Sequence, residues 1–172
     1  MGKLKIVVIN GQGGVGKDLF INYCNDFCDY LYSYSTVDFI KHSARRFGWN
    51  GTKEPKDRKM LSELKRILKE WNDIPYKKTS EYIDMAKAAS VFNDYDEVLF
   101  IHCREPEEIE RLKKDFDVIT VLIRRLEVEQ SWDNPSDDNV FDYFYDYVII
   151  NNTKDELKQS AEFFINEILE VK

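Results

Sequence analysis

The chain has 172 residues, 43% hydrophobic and 33% charged, with a formal net charge of −7. That length suits one domain, 1–172, with a sizeable core, and the composition is globular. The acidic balance excludes a nucleic-acid-binding surface as the main function, so a site for an anion must gather its cations locally.

The first apolar run, Lys5-Ile6-Val7-Val8-Ile9-Asn10, reads as a strand. It leads into Gly11-Gln12-Gly13-Gly14-Val15-Gly16-Lys17-Asp18, followed by the helix-like Leu19-Phe20-Ile21. The spacing Gly11-x-x-x-x-Gly16-Lys17 between strand and helix is that of a phosphate-binding P-loop. Glycines allow backbone N–H groups to turn inward at phosphate oxygens, and a helix N-terminus adds unpaired N–H groups. Gly11, Gln12, Gly13, Gly14, Val15, Gly16, Lys17 and Asp18 are therefore the candidate nucleotide-binding residues, with Lys17 the cation for the terminal phosphates. The last position of this motif is normally a hydroxyl residue that ligates magnesium, and here it is Asp18. A carboxylate beside phosphates needs a cation between them, which assigns Asp18 to magnesium. The other reading is that Asp18 caps the first helix.

That helix is predicted to run from Lys17 to Leu31, with Phe20, Cys24, Phe27 and Leu31 at helical spacing. A short strand over 32–37 ends at Asp38, and a brief helix follows to Phe47. After a loop broken by Gly51 and Pro55, Met60, Leu61, Leu64, Ile67, Leu68 and Trp71 form one face of an amphipathic helix. Pro75 opens another helix to about Asn93. Val98-Leu99-Phe100-Ile101 and Val118-Ile119-Thr120-Val121-Leu122-Ile123 read as buried strands. Between them Glu105-Pro106-Glu107-Glu108 starts a helix. Residues 126–140 are polar and acidic and read as a mobile loop. Tyr147-Val148-Ile149-Ile150 is the last strand, and Thr153-x-x-Glu156 is a capping box for the closing helix.

Cys24, Cys28 and Cys103 are an odd set without metal-type clustering, which fits core packing in a reducing compartment. The chain enters a strand directly, carries no apolar run of transmembrane length and lacks the hydroxyl residue of a myristoylation site. The expectation is a cytoplasmic protein with no membrane or nucleic-acid partner.

Strands alternating with helices predict an α/β fold: a three-layer α/β/α sandwich on a central parallel sheet of about five strands. Ligands bind such sheets beyond the C-terminal strand ends. The polar residues at the strand exits are the candidates: Asp38, His102 to Arg104, Arg124 with Arg125, and Asn151 with Asn152.

At these residues the sequence resembles the nucleoside monophosphate kinase group of P-loop NTPase proteins. It is most similar to phage-type deoxynucleoside monophosphate kinases and animal-type phosphomevalonate kinases, which carry Gly-Lys-Asp as Gly16-Lys17-Asp18 does here. Ile101-His102-Cys103-Arg104-Glu105-Pro106-Glu107 resembles the family's third strand exit, where an arginine faces the acceptor phosphate. Residues 144–152, followed by Glu156-Leu157, resemble its last strand and adenine-side loop, which implicates Asn152. Asp57-Arg58-Lys59-Met60-Leu61 resembles part of an acceptor-binding helical insertion, placed at 39–94, and 126–140 would be the lid. The resemblance implies transfer of a phosphoryl group from ATP, with Mg2+, to a small phosphorylated acceptor, a (deoxy)nucleoside monophosphate before a phosphomevalonate-like molecule. Asp38, Lys41, Arg45, Arg58 and Arg104 are the acceptor candidates. The family places arginines in the lid and an acidic residue at the third strand exit. Here the lid has none, so Arg124 and Arg125 stand in as candidate catalytic cations beside Lys17, and the strand exit carries His102 and Cys103.

A partitioning ATPase is a second reading, but its signature lysine would fall at Gln12. A GTPase is disfavoured because the chain has no Asp-x-x-Gly switch and Asn152-Thr153-Lys154-Asp155 is not Asn-Lys-x-Asp. A third reading is a nucleotide-binding module with little catalysis, motivated by the arginine-free lid. Oligomeric state is not legible.

Overall fold

The computed structural model describes residues 2–129 and 139–170. Five strands form one sheet: β1 (Leu4–Asn10), β2 (Tyr30–Ser35), β3 (Glu97–His102), β4 (Val118–Arg124) and β5 (Tyr147–Ile150), in the order β2-β3-β1-β4-β5. β1 pairs in parallel with β3, Ile9 opposite His102, and with β4, Asn10 opposite Leu122; β4 pairs in parallel with β5. The helices are α1 (Lys17–Cys24), α2 (Asp38–Arg46), α3 (Pro55–Asn72), α4 (Ile74–Ser90), α5 (Pro106–Asp115), α6 (Leu126–Glu129) and α7 (Lys154–Leu169).

Two compact units emerge, Met1–Ser33 with Ala89–Lys172, and Tyr34–Ala88. In the first, β1 supplies Val7 and Ile9 to one core with Val98, Phe100, Val121 and Ile123, closed by Phe20 of α1 and Phe164 and Ile165 of α7. The alternate residues Ile6, Val8, Leu99 and Ile101 are buried on the opposite face, as are Ile109 and Leu112 of α5. Burial on both faces explains why β1, β3 and β4 are continuous apolar runs.

The first helix ends earlier than its periodicity predicts. α1 stops at Cys24, a short 3-10 turn covers Asn25–Phe27, and Leu31 belongs to β2. Asn25 and Asp26 favour turns over helix interiors, and Tyr30-Leu31-Tyr32 are strand formers. Cys28 is therefore off the helix, although its Sγ lies 3.5 Å from the Cys24 carbonyl. None of the three cysteines forms a disulfide. β2 begins and ends two residues before the predicted bounds, and α4 stops at Ser90 rather than Asn93.

In the second unit, α3 begins with a capping box in which Glu54 and Asp57 satisfy each other's backbone N–H groups. Its apolar stripe is not a buried face. Asp57 is its only buried residue, and Trp71 is 74% exposed.

Candidate functional site

β1 is the central strand, and its C-terminal end delivers the glycine loop to the edge where β3 and β4 also end. Two glycines are required there. Gly11 has φ +145°, and a Cβ on it would lie 2.5 Å from the Ile123 carbonyl of β4. Gly16 has φ +100°, and its Cβ would lie 2.5 Å from Asn151 Nδ2. By contrast the position of a Cβ on Gly14 meets nothing within 4 Å, so the loop's outer side is open.

Lys17 turns back over this loop. Its Nζ donates to the Gly11 carbonyl and, at 2.7 Å, to the Gln12 carbonyl. Gln12 is buried, and its Oε1 has no hydrogen-bond donor among the described residues. The cap position of α1 is Gly16, in the left-handed region. Asp18 lies in the first turn with no side-chain capping bond, and it is exposed. The helix-capping reading of Asp18 is thus not what the fold uses. An exposed carboxylate at the start of α1, beside the glycine loop, is chemically suited to a hard divalent cation.

The loop is held at both ends by asparagines: Asn10, which the sequence did not single out, and Asn151, one of the strand-exit candidates. Asn10, fully buried, accepts from the Gly11 N–H at 2.8 Å. Asn151 donates from Nδ2 to the Val15 carbonyl at 2.8 Å, and its own N–H donates to the Arg124 carbonyl at 2.7 Å. Asn152, the residue assigned from sequence, is exposed.

At the neighbouring exits, the guanidinium of Arg124 lies 5.1 Å above the Phe141 ring, and Arg125 pairs with Glu127 at 3.0 Å. His102 Nε2 is 3.1 Å from Ser33 Oγ. Arg104 is exposed, and its carbonyl accepts from Asn10 Nδ2 at 3.2 Å. A carboxylate does stand near this exit: the ligand atoms of Cys103, Glu105 and Glu108 lie within 4.8 Å of one another. Tyr145 Oη accepts from Asn10 and donates to the Val140 carbonyl at 2.8 Å. Burial pushes its phenol up to about 12, which keeps that proton in place.

The remaining sequence candidates belong to the second unit. Asp38 accepts from the Ser35 N–H at 2.8 Å and lies 3.6 Å from Lys41. Arg45 stands 5.7 Å over the Trp49 ring, and Arg58 Nε donates to the Lys53 carbonyl at 3.1 Å. Within the lid assignment, residues 130–138 lie outside the described residues.

No protein-family model matches the chain, and no curated protein matches it. Solved structures do. A sugar kinase from Janibacter sp. HTCC2649 is 12% identical, with 95% of each chain covered and a TM-score of 0.54. A gluconokinase from Sinorhizobium meliloti 1021 is 12% identical over 96% of this chain and 94% of its own, with a TM-score of 0.50. Identity this low is a likeness of fold. With its glycine loop at the exit of the central strand and its five-stranded parallel sheet, the chain has the fold of the P-loop kinases.

Proposed function

We propose that the protein is a phosphotransferase that moves the terminal phosphoryl group of ATP to a small phosphorylated acceptor, a (deoxy)nucleoside monophosphate first. The observation that carries this reading is the loop Gly11–Lys17 at the central strand exit, with Lys17 folded over it. Its backbone amides and Lys17 would bind the phosphates, and Asn152 would lie on the adenine side. Asp18 would hold Mg2+, which would supply charge neutralisation to the phosphates. Arg124 and Arg125 would neutralise charge on the phosphoryl group in transfer. Phosphoryl transfer rests on positioning and charge neutralisation, so no general base is required.

An anionic acceptor is supported by charge placement. Residues 38–59 carry seven lysines and arginines against three carboxylates, in a chain where carboxylates outnumber those cations by seven. Lys41, Arg45 and Arg58, with Asp38, are the proposed acceptor-binding residues of the second unit. In the first, Arg104 is the proposed grip on the acceptor's phosphate, because a guanidinium holds phosphate bidentately. A phosphomevalonate-like acceptor has the same charge and is the second reading.

Coupled ADP release measured with and without a panel of nucleoside monophosphates and phosphomevalonate tests the proposal. Acceptor-dependent release supports it. ADP release indifferent to every phosphorylated acceptor would leave an ATPase or a binding module instead.

A further inference from the structure

Asn10, the last residue of β1, is 0% exposed and commits its whole side-chain amide to neighbours. Its Oδ1 accepts from the Gly11 N–H at 2.8 Å. Its Nδ2 donates to Tyr145 Oη at 2.7 Å and to the Arg104 carbonyl at 3.2 Å. One acceptor and two donors are in use, and turning the amide over would set oxygen against the Arg104 carbonyl and nitrogen against an N–H. The orientation is therefore fixed. The Cys103 N–H, donating to the Ile9 carbonyl at 3.3 Å, ties the same two strand ends by backbone. Tyr145 is itself held by its bond to the Val140 carbonyl.

We propose that Asn10 is a positioning residue that couples the glycine loop to Arg104, so that filling the loop sets this arginine for the second substrate. The inference rests on the reading of the loop as the nucleotide site and of Arg104 as the phosphate grip. Gly11 supplies the first N–H of the loop, and drawing the loop amides onto phosphate oxygens changes its torsions. A planar amide held at three corners has no rotational slack, so that displacement is passed to the Arg104 carbonyl. Arg104 is exposed, and the bond from Asn10 reaches it at its backbone carbonyl. The coupling is reciprocal by linkage: whatever Arg104 grips also tightens the nucleotide. An aspartate at position 10 could not do this, because it has no donors for the Arg104 carbonyl.

The test uses the full chain with 15N-labelled arginine and the non-hydrolysable analogue Mg·AMPPNP, whose own affinity is read by calorimetry. In the native protein, saturating analogue shifts the Arg104 Nε–H resonance, with the calorimetric dissociation constant. Asn10→Ala and Asn10→Ser, compared at saturation, lose most of that shift. Asn151→Ala loosens the same loop from its other end and keeps it, which a merely structural role for Asn10 would not produce. Equal Arg104 shifts in the native and Asn10 variants overturn the inference and leave the nucleotide reading intact. Failure of the native chain to bind the analogue overturns both. Should neither Asn10 variant fold, the native chain decides: an Arg104 resonance unmoved by saturating analogue overturns the coupling, and a saturable shift supports it.

Discussion

Asn151, the residue after β5, donates its Nδ2 hydrogen to the carbonyl of Val15 at 2.8 Å, across 136 positions of sequence. The side chain is buried, and it fills the space that a Cβ on Gly16 would need. Asn151→Ala leaves the Val15 carbonyl buried without that donor, which costs about 1–3 kcal/mol. Urea denaturation should show that loss, together with weaker nucleotide binding because the loop is no longer pinned. Gly16→Ala should be worse, since it adds backbone strain at φ +100° to the collision. An unchanged midpoint for Asn151→Ala would show that this bond contributes nothing net.

Lys17 faces the loop carbonyls of Gly11 and Gln12. Lys17→Ala should weaken Mg·ATP binding by at least about 1.5 kcal/mol, the low end for a charged hydrogen bond. Equal affinities of the two proteins in calorimetry would remove Lys17 from the phosphate site.

Asp18 lies exposed in the first turn of α1 without capping it. Without metal, its carboxylate would face phosphate directly, and like charges ~4 Å apart cost on the order of 1–4 kcal/mol between water-like and surface-like dielectric. Asp18→Asn should therefore bind metal-free ATP better than the native chain and depend less steeply on magnesium. Titrations at several magnesium concentrations read this directly, and parallel curves for the two proteins would place the metal ligand elsewhere.

For Arg104, Arg104→Ala should raise the KM for the acceptor and leave ATP binding nearly unchanged. Arg104→Lys should restore only part of the loss, because a lysine has no bidentate fork. A defect confined to ATP would put Arg104 on the nucleotide side.

Asp146 links β4 to the segment before β5. It accepts from the Thr120 N–H and Oγ1, each at 2.8 Å, and from Lys113 Nζ at 2.7 Å. Burial opposes its charge, but Lys113 and the two Thr120 bonds outweigh it and hold the carboxyl below its ordinary value. A depressed carboxylate adds stability that is fully present above its unfolded pKa, about 3.9, and is lost as pH falls through the lower folded value. Asp146→Asn should therefore be less stable than native at neutral pH, and the gap should close in acid below about pH 4. Urea midpoints measured from pH 7 downward would show it, and a gap that stays constant with pH would count against the ionised contact.

The sequence by itself determined the loop, the strand that carries it and the parallel sheet. Glycine spacing, apolar runs and the Thr153 cap are local signals, each set by backbone torsion or by burial of a short segment. The same reading stretched α1 to Leu31, because apolar spacing continues through Phe27 while the turn at Asn25–Phe27 depends on where β2 must start. The apolar stripe of α3 was legible as one face of an amphipathic helix, but its burial was not: Trp71 and Ile67 remain exposed in the fold. Asn10, Tyr145 and Asn151 were not legible as a set. One ends the first strand and the others flank the last, and a hydrogen bond between residues so distant in sequence leaves no periodicity or spacing. Only the strand order, which places β3 and β4 on either side of β1, brings these side chains together at the loop and sets Asn10, which accepts from its neighbour Gly11, against Arg104 and Tyr145.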